Sequence, residues 1–391
     1  MCAKLGTPRG LTRSPERGMS LIEILVGIVI GMLGILVIFS VLSVAEGRKR
    51  TTTAGSDAQM AGAVALFSLE RDIKQAGYGF GTFSVGNPIS CTVDAYDALR
   101  GGGSQDFDFP LAPTLITQGA AGAPDAIAVL YGNTDLIVAG KAFTFSSNST
   151  KATSSTLGGR TGLLRGDVLL IAGMAGSPAA LNCQLIEVTG NTNVDAVTID
   201  HGTGTYTPQN GVGSATARYN KATGPAFSNG FIYELGSFPR RNLWLIQNGR
   251  LMVQDEMHWS DADGDGANDP VAVYDDIINL QAEYGVAEDS NGDGRLDRIG
   301  VWTTVAPPDM ASVYAIRVGL LARSKQAEKV KVTGTAPAWA GGSFAMKNAD
   351  GTTDSDPGDA SAGDPNNWRN YRYRAYETLV PLRNVVWGSM P

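Results

Sequence analysis
Met19 to Ala45 reads MSLIEILVGIVIGMLGILVIFSVLSVA, 27 residues with one charged side chain, Glu23. At about 1.5 Å per residue, roughly 20 such residues cross a ~30 Å hydrocarbon core as a helix. This run constrains the fold most, because a bilayer accepts a lone segment only if its backbone is satisfied within itself. Residues 1–18 carry Lys4, Arg9, Arg13 and Arg17 against Glu16. Interrupted by Gly6, Pro8 and Pro15, they read as a charged leader and not as structure. Arg48, Lys49 and Arg50 follow the run and partly balance the leader, so charge bias orients the segment only weakly.

Three readings compete for the run. A secretory signal peptide would be cut at Ser43-Val44-Ala45, but its apolar region is normally about 7–15 residues. A plain membrane anchor explains the length alone. The third reading also uses Gly18 at the junction and Glu23 just inside, since a carboxylate near a membrane is costly unless it finds a partner. Gly27-x-x-x-Gly31 further permits close approach of helices.

Gly18, Met19 and Ser20-Leu21-Ile22-Glu23 together resemble the type III signal of prepilins. The resemblance implies that a prepilin peptidase of the inner membrane cuts after Gly18 and methylates the amine of Met19. It also implies that Glu23 neutralises the N-terminus of a neighbouring subunit during assembly. The family prefers phenylalanine where this chain has Met19. Removing residues 1–18 takes away four bases and one acid and moves the net charge from −7 to −10.

Residues 56–76, SDAQMAGAVALFSLERDIKQA, set Leu66, Leu69, Ile73 and Ala76 at three- and four-residue steps, the spacing of an amphipathic helix. The threonines of residues 50–55 predict a weak or kinked stretch, with Ser56 or Asp57 capping a restart. Gly77-Tyr78-Gly79-Phe80-Gly81 ends the helix. LFSLERDIKQAGYGF resembles a segment of PilW-type minor pilins, in which an arginine-containing helix ends in Ala-Gly-Tyr. YDDIINLQAEYG from Tyr274 to Gly285 is similar to that family's central strand, and residues 313–326 to the strand after it. YRYRAYETLVPLRN, residues 371–384, is similar to its C-terminal strands. Residues 81–270 match poorly and look enlarged.

The remaining sequence suits a β-rich body. Hydrophobic residues make up 43% of the 391, charged residues 18%, and the 49 glycines follow no collagen period. Short apolar runs at 125–138, 167–171 and 183–189 read as strands. Asn248-Gly249 within 231–254 marks a hairpin. Residues 146–159 and 334–368 read as loops. Cys2 falls in the leader. Cys91 and Cys183 remain, and in an oxidising compartment they are expected to form a disulfide.

Residues 261–269 read DADGDGAND and residues 289–297 read DSNGDGRLD. Both follow D-x-[DN]-G-D-G-x-x-D, and their starts lie 28 residues apart. Side chains at positions 1, 3 and 5 converge on one cation when a glycine at position 6 allows the tight turn. The expected ligands are Asp261, Asp263, Asp265, the Ala267 carbonyl and Asp269 in one loop. In the other they are Asp289, Asn291, Asp293, the Arg295 carbonyl and Asp297. The glutamate of an EF-hand's twelfth position is missing, replaced by Ala272 and Gly300, so the loops resemble shorter extracellular calcium loops. An acidic Asp-Gly turn is the plainer alternative.

Other chemistry is sparse. The chain has two histidines, His201 and His258, both expected to be structural, and no nucleophile elbow or nucleotide fingerprint in a suitable context. No enzyme is expected. Net charge −7 argues against nucleic acid. Arg369, Arg372 and Arg374, interleaved with Trp368, Tyr371, Tyr373 and Tyr376, read as a strand with one solvated face.

The expected fold is α+β and pilin-like, a long N-terminal helix on an antiparallel β-rich body. Its expected parts are a cleaved leader (1–18), a transmembrane and assembly helix (19–45), its amphipathic continuation (46–80) and the body (81–391). The expected function is that of a minor pilin in type IV pilus assembly. Its expected partners are other minor and major pilins, the peptidase, the inner membrane and a tip adhesin. The expected site is the inner membrane with the body in the periplasm, and then the extracellular pilus. A type II secretion pseudopilin and a pilin-based adhesin are the alternatives.

Overall fold
The computed structural model describes residues 18, 20–81, 91–101, 103–134, 141–143, 151–153, 163–173, 182–190, 198–209, 211–224, 227, 230–293, 295–348 and 366–389. Leader residues 1–17 and Met19 lie outside that set, as does most of 146–159. The chain forms two compact units, Met1–Ala54 and Gly55–Pro391.

Helix α1 runs from Leu21 to Ile73. In the first unit its segment Leu21–Gly47 contains an 18-residue stretch with a mean hydropathy of 3.0, none of it buried. By length and composition it fits a membrane anchor. The helical backbone passes through residues 50–55 without the expected break. Threonine costs a helix only a few tenths of a kcal/mol, about 0.7 at most, and propagating an existing helix offsets that. The expected helix over 46–80 stops short, at Ile73, and residues 74–80 form successive turns. Gly77 and Gly79 have φ of 79° and 92°, which glycine adopts without strain.

The second unit begins with β1 (Thr92–Tyr96), β2 (Asp106–Pro110), β3 (Thr114–Thr117) and β4 (Ala126–Tyr131). Then come β5 (Lys141–Phe143), β6 (Lys151–Thr153), β7 (Val168–Gly173), β8 (Asn182–Glu187) and β9 (Thr198–Asp200). β10 (Thr205–Tyr206), β11 (Ala215–Thr216), β12 (Gly230–Gly236), β13 (Arg240–Gln247), β14 (Arg250–Asp255) and β15 (Val271–Asp275) follow. The unit closes with β16 (Ile277–Glu288), β17 (Arg298–Thr303), β18 (Val313–Arg323), β19 (Ala338–Trp339), β20 (Gly342–Ser343), β21 (Tyr373–Pro381) and helix α2 (Arg383–Ser389).

Three sheets dominate. The six-stranded sheet has the order β2-β1-β8-β7-β12-β5 and is antiparallel except where β1 lies parallel to β8. The five-stranded sheet, β15-β14-β13-β4-β3, and the four-stranded sheet, β17-β16-β18-β21, are antiparallel throughout. The hairpin joining β13 to β14 turns at Asn248 and Gly249, with φ of 53° and 71°, the signs a type I′ turn requires.

Alternation along the strands sorts the cores. β7 is buried on both faces: Val168 and Leu170 pack with Phe80, Val93 and Leu185, while Leu169 and Ile171 pack with Ile186, Phe227 and Ile232. The third core joins α1 to the other two sheets, with Leu69 and Ile73 against Ile127, Trp244, Leu280, Tyr284 and Val318. The 371–384 segment yields one strand, β21, and then α2 rather than several strands. Asn384 Nδ2 donates to the carbonyls of Gln75 and Ala76 at 3.2 and 3.0 Å, supplying partners to groups just beyond the end of α1. The supposed loop at 334–368 contains the β19–β20 hairpin and a fully buried Phe344.

Candidate functional site
Glu23 sits in the first turn of α1. Ser20 N donates to Glu23 Oε2 at 3.1 Å, and Glu23 N donates to Ser20 Oγ at 3.4 Å. That reciprocal pair is a capping box, which supplies partners to N–H groups the helix cannot satisfy itself. The Ser-x-x-Glu spacing announced it, but the glutamate was read only for its charge. Gly18 is exposed just before this cap.

The first Asp loop connects β14 to β15. The carboxylates of Asp261, Asp263 and Asp265 come within 4.8 Å of one another and are exposed. Asp261 accepts from the N–H groups of Gly264 at 2.7 Å and Gly266 at 3.1 Å, and Asp265 accepts from Ala267 N at 2.7 Å. Asp269 turns back to accept from Ala262 N at 2.6 Å. Gly264 and Gly266 have φ of 78° and 82°, so the Gly-Asp-Gly spacing is a backbone requirement. Asn268 ties the loop down by donating to the Asp255 carbonyl at 2.9 Å and accepting from Ser260 N at 2.9 Å.

The second loop closes the hairpin from β16 to β17 and repeats the pattern. Asp289 accepts from Gly292 N at 2.6 Å, Asp293 from Arg295 N at 2.9 Å, and Asp297 from Ser290 N at 3.2 Å. Asn291 Nδ2 donates to Asp293 Oδ2 at 3.2 Å. Among the described residues only the first loop brings three carboxylates that close together, and clustered oxygens of that kind suit a hard divalent cation with oxygen ligands. The two loops sit in different sheets, each immediately before an edge strand, β15 or β17.

Cys91 and Cys183 are joined as a disulfide with a Cα–Cα distance of 5.8 Å. Cys183 lies in β8, opposite Val93 of β1, so the bridge fastens the parallel pair. His258 stacks on Phe238, its ring 3.7 Å away, with Nδ1 2.9 Å from Asp255 Oδ2, and His201 is buried.

One polar cluster was not read from the sequence. Asp72, buried on α1, accepts from Tyr131 Oη at 2.8 Å, Trp244 Nε1 at 2.6 Å and Asn242 Nδ2 at 3.1 Å. Its signal was available: Ala65, Leu69, Asp72 and Ala76 follow steps of four, three and four, so Asp72 falls on the buried stripe. Burial and the Asp72 charge push the Tyr131 hydroxyl above its ordinary range. Burial likewise raises the carboxyls of Asp125 and Asp167 and lowers Arg241 to about 10.

No curated protein matches the chain. A type IV-like pilin from Thermus thermophilus aligns with 83% of this chain and 95% of its own, at 9% identity and a TM-score of 0.28. A score that low carries nothing about function. Residues 247–384, which span both Asp loops and β14 to β21, match the family model described as PilW, type IV pilus-assembly protein W, and this match ties the chain to type IV pilus biology.

Proposed function
We propose that this chain is a minor pilin acting with other minor pilins in the priming or tip complex of a type IV pilus. In this reading it is cut after Gly18, methylated on Met19 and held in the inner membrane by the apolar helix. Its body stands in the periplasm before the subunit joins the filament with major pilins, where it can carry a tip adhesin. The observation that carries the reading is the PilW match over 247–384 on a chain whose apolar helical segment, Leu21–Gly47, carries only Glu23 near one end and Glu46 near the other. That match favours a pilus over a type II secretion pseudopilin.

Glu23 gives the test. Gln can replace Glu in a capping box, so Glu23→Gln keeps the helix cap and removes the charge, whereas Glu23→Ala removes both. Both variants should be cut like the parent chain, and neither should support filaments counted by electron microscopy. Normal piliation with Glu23→Gln would remove the charge from the mechanism.

The same reading includes calcium at the two Asp loops. Asp261, Asp263, Asp265 and Asp269 with the Ala267 carbonyl would hold one ion. Asp289, Asn291, Asp293 and Asp297 with the Arg295 carbonyl would hold the other. Lacking a bidentate glutamate, the sites should be weak, on the order of 10⁻⁴–10⁻³ M, a range that extracellular modules use.

A further inference from the structure
β16 and β18 turn one face to the core and the other outward. On the outward face Gly285 pairs with Trp302 and Ala315, Glu283 with Arg317, Arg317 with Leu379, and Gly319 with Gln281 and Glu377. An indole covers each glycine, since a Cβ at Gly285 would meet Trp302 and one at Gly319 would meet Trp339. The guanidinium carbon of Arg317 lies 4.6 Å from the Trp302 ring centroid and 5.6 Å from that of Trp339, and its charge is matched by Glu283.

Glu377 differs from Glu283. It is exposed, its Oε2 accepts from Ala340 N at 2.7 Å, and no basic side chain among the described residues pairs with it. Beside it, the half-buried Trp339 forms one wall of an open cleft of about 340 Å³, whose other walls are Ala338, Ala340 and Ala375. The cleft is therefore lined by an indole, three alanines and one carboxylate without an ion-pair partner among the described residues. An alkylammonium complements all three: its carbon stem lies on the ring and methyls, its head reaches the carboxylate, and the ring quadrupole adds attraction. The volume lies at the small end of ligand pockets and suits one side chain. A neutral sugar would leave the Glu377 charge without a counter-charge.

We propose that this cleft receives a lysine side chain of a partner protein. The inference does not depend on the pilus reading. The test uses full-length protein in detergent micelles with ¹⁵N-labelled tryptophan, the Trp339 indole resonance being the one lost in Trp339→Phe. Titration with N-acetyl-lysine-amide should shift that resonance saturably. N-acetyl-norleucine-amide, with the same stem and no charge, should bind about tenfold more weakly or not at all. Glu377→Gln, which still accepts from Ala340, should weaken lysine binding roughly two- to fivefold, the worth of an exposed ion pair. Ala375→Leu, which fills the cleft, should abolish it, and melting temperatures report that both variants are folded. Equal responses to lysine and norleucine, unchanged binding in either folded variant, no response to lysine, or a response to methyl glucoside in its place would each overturn the assignment.

Discussion

The six-stranded sheet joins parts of the chain that are far apart, with β1 parallel to β8 and Cys91 bridged to Cys183 at a separation of 92 residues. The four-stranded sheet is antiparallel, and β17, β16 and β18 are neighbours in sequence as well as in space. A parallel pair needs a long crossover, and closing that loop costs entropy that a crosslink removes from the unfolded chain. The sheets on α1 need no such link. Their fastening to the helix, beyond apolar burial, centres on the buried carboxylate of Asp72 and its three donors, with less buried bonds between Tyr274 and Ser68 and from Tyr376 Oη to the Gln59 carbonyl. One region is thus secured by restricting the unfolded chain, the other by a buried polar contact in the folded one.

Breaking the polar fastening should have the largest effect. Asp72→Ala leaves Trp244 Nε1 without an acceptor in the core and takes the acceptor from Tyr131 Oη, while Asn242 keeps its bond to Tyr131 Oη at 3.1 Å, and should cost roughly 3 kcal/mol. Denaturant titration gives the loss. A change below about 1 kcal/mol would mean that the contact is dispensable. The double variant Cys91→Ser, Cys183→Ser should cost about 2–4 kcal/mol. Hydrogen exchange should show the loss in β1, β8 and β7 while β16 and β18 stay protected. Equal loss in both sheets would erase the contrast.

Calcium should act on the Asp loops and not on the six-stranded sheet. At about ten times Kd or a little above it should add ~1–2 kcal/mol. The measurement is the full chain's melting temperature in calcium, magnesium or EGTA. Asp265→Ala with Asp293→Ala should abolish the shift, and no shift in the parent chain would leave two acidic turns.

The smallest effect is of pH, and each region carries one group. Asp167 precedes β7, and Asp125 joins β4 to β16 by accepting from Ala282 N at 2.9 Å. Burial raises both carboxyls from 3.8. A folded value above the unfolded one means that the folded chain holds the proton more tightly. Their contribution to stability is then full below about pH 4 and is lost as pH rises through the raised value. Asp167→Asn should flatten that decline in denaturant midpoints measured upward from about pH 4. An unchanged slope would separate Asp167 from it.

Periodicity made the core side of α1 legible, because Leu66, Leu69 and Ile73, with Ala76 just past the helix end, repeat at helical steps, Leu66 being part-buried and the others fully buried. Asn248-Gly249 fixed a hairpin because few residues accept positive φ in succession. The Asp loops were legible for a similar reason, their glycines being required by the turn. Long-range pairing was not legible. Nothing local in TVDAY or NCQLIE says that β1 and β8 run parallel, since strand partners are chosen by packing of the whole sheet. Nor did the Gly- and Asp-rich stretch before β21 disclose that Phe344 is buried or that Trp339 seats over Gly319. Asp72 was overlooked because it lies in a charged run, ERDIK, where only its phase places it inward.

The mature N-terminus tests the central claim most directly. Mass spectrometry of chain extracted from membranes should find it at Met19, with an added methyl group on the amine. An N-terminus at Glu46 would mean cleavage after Ser43-Val44-Ala45 as an ordinary signal peptide, and would contradict the minor-pilin function.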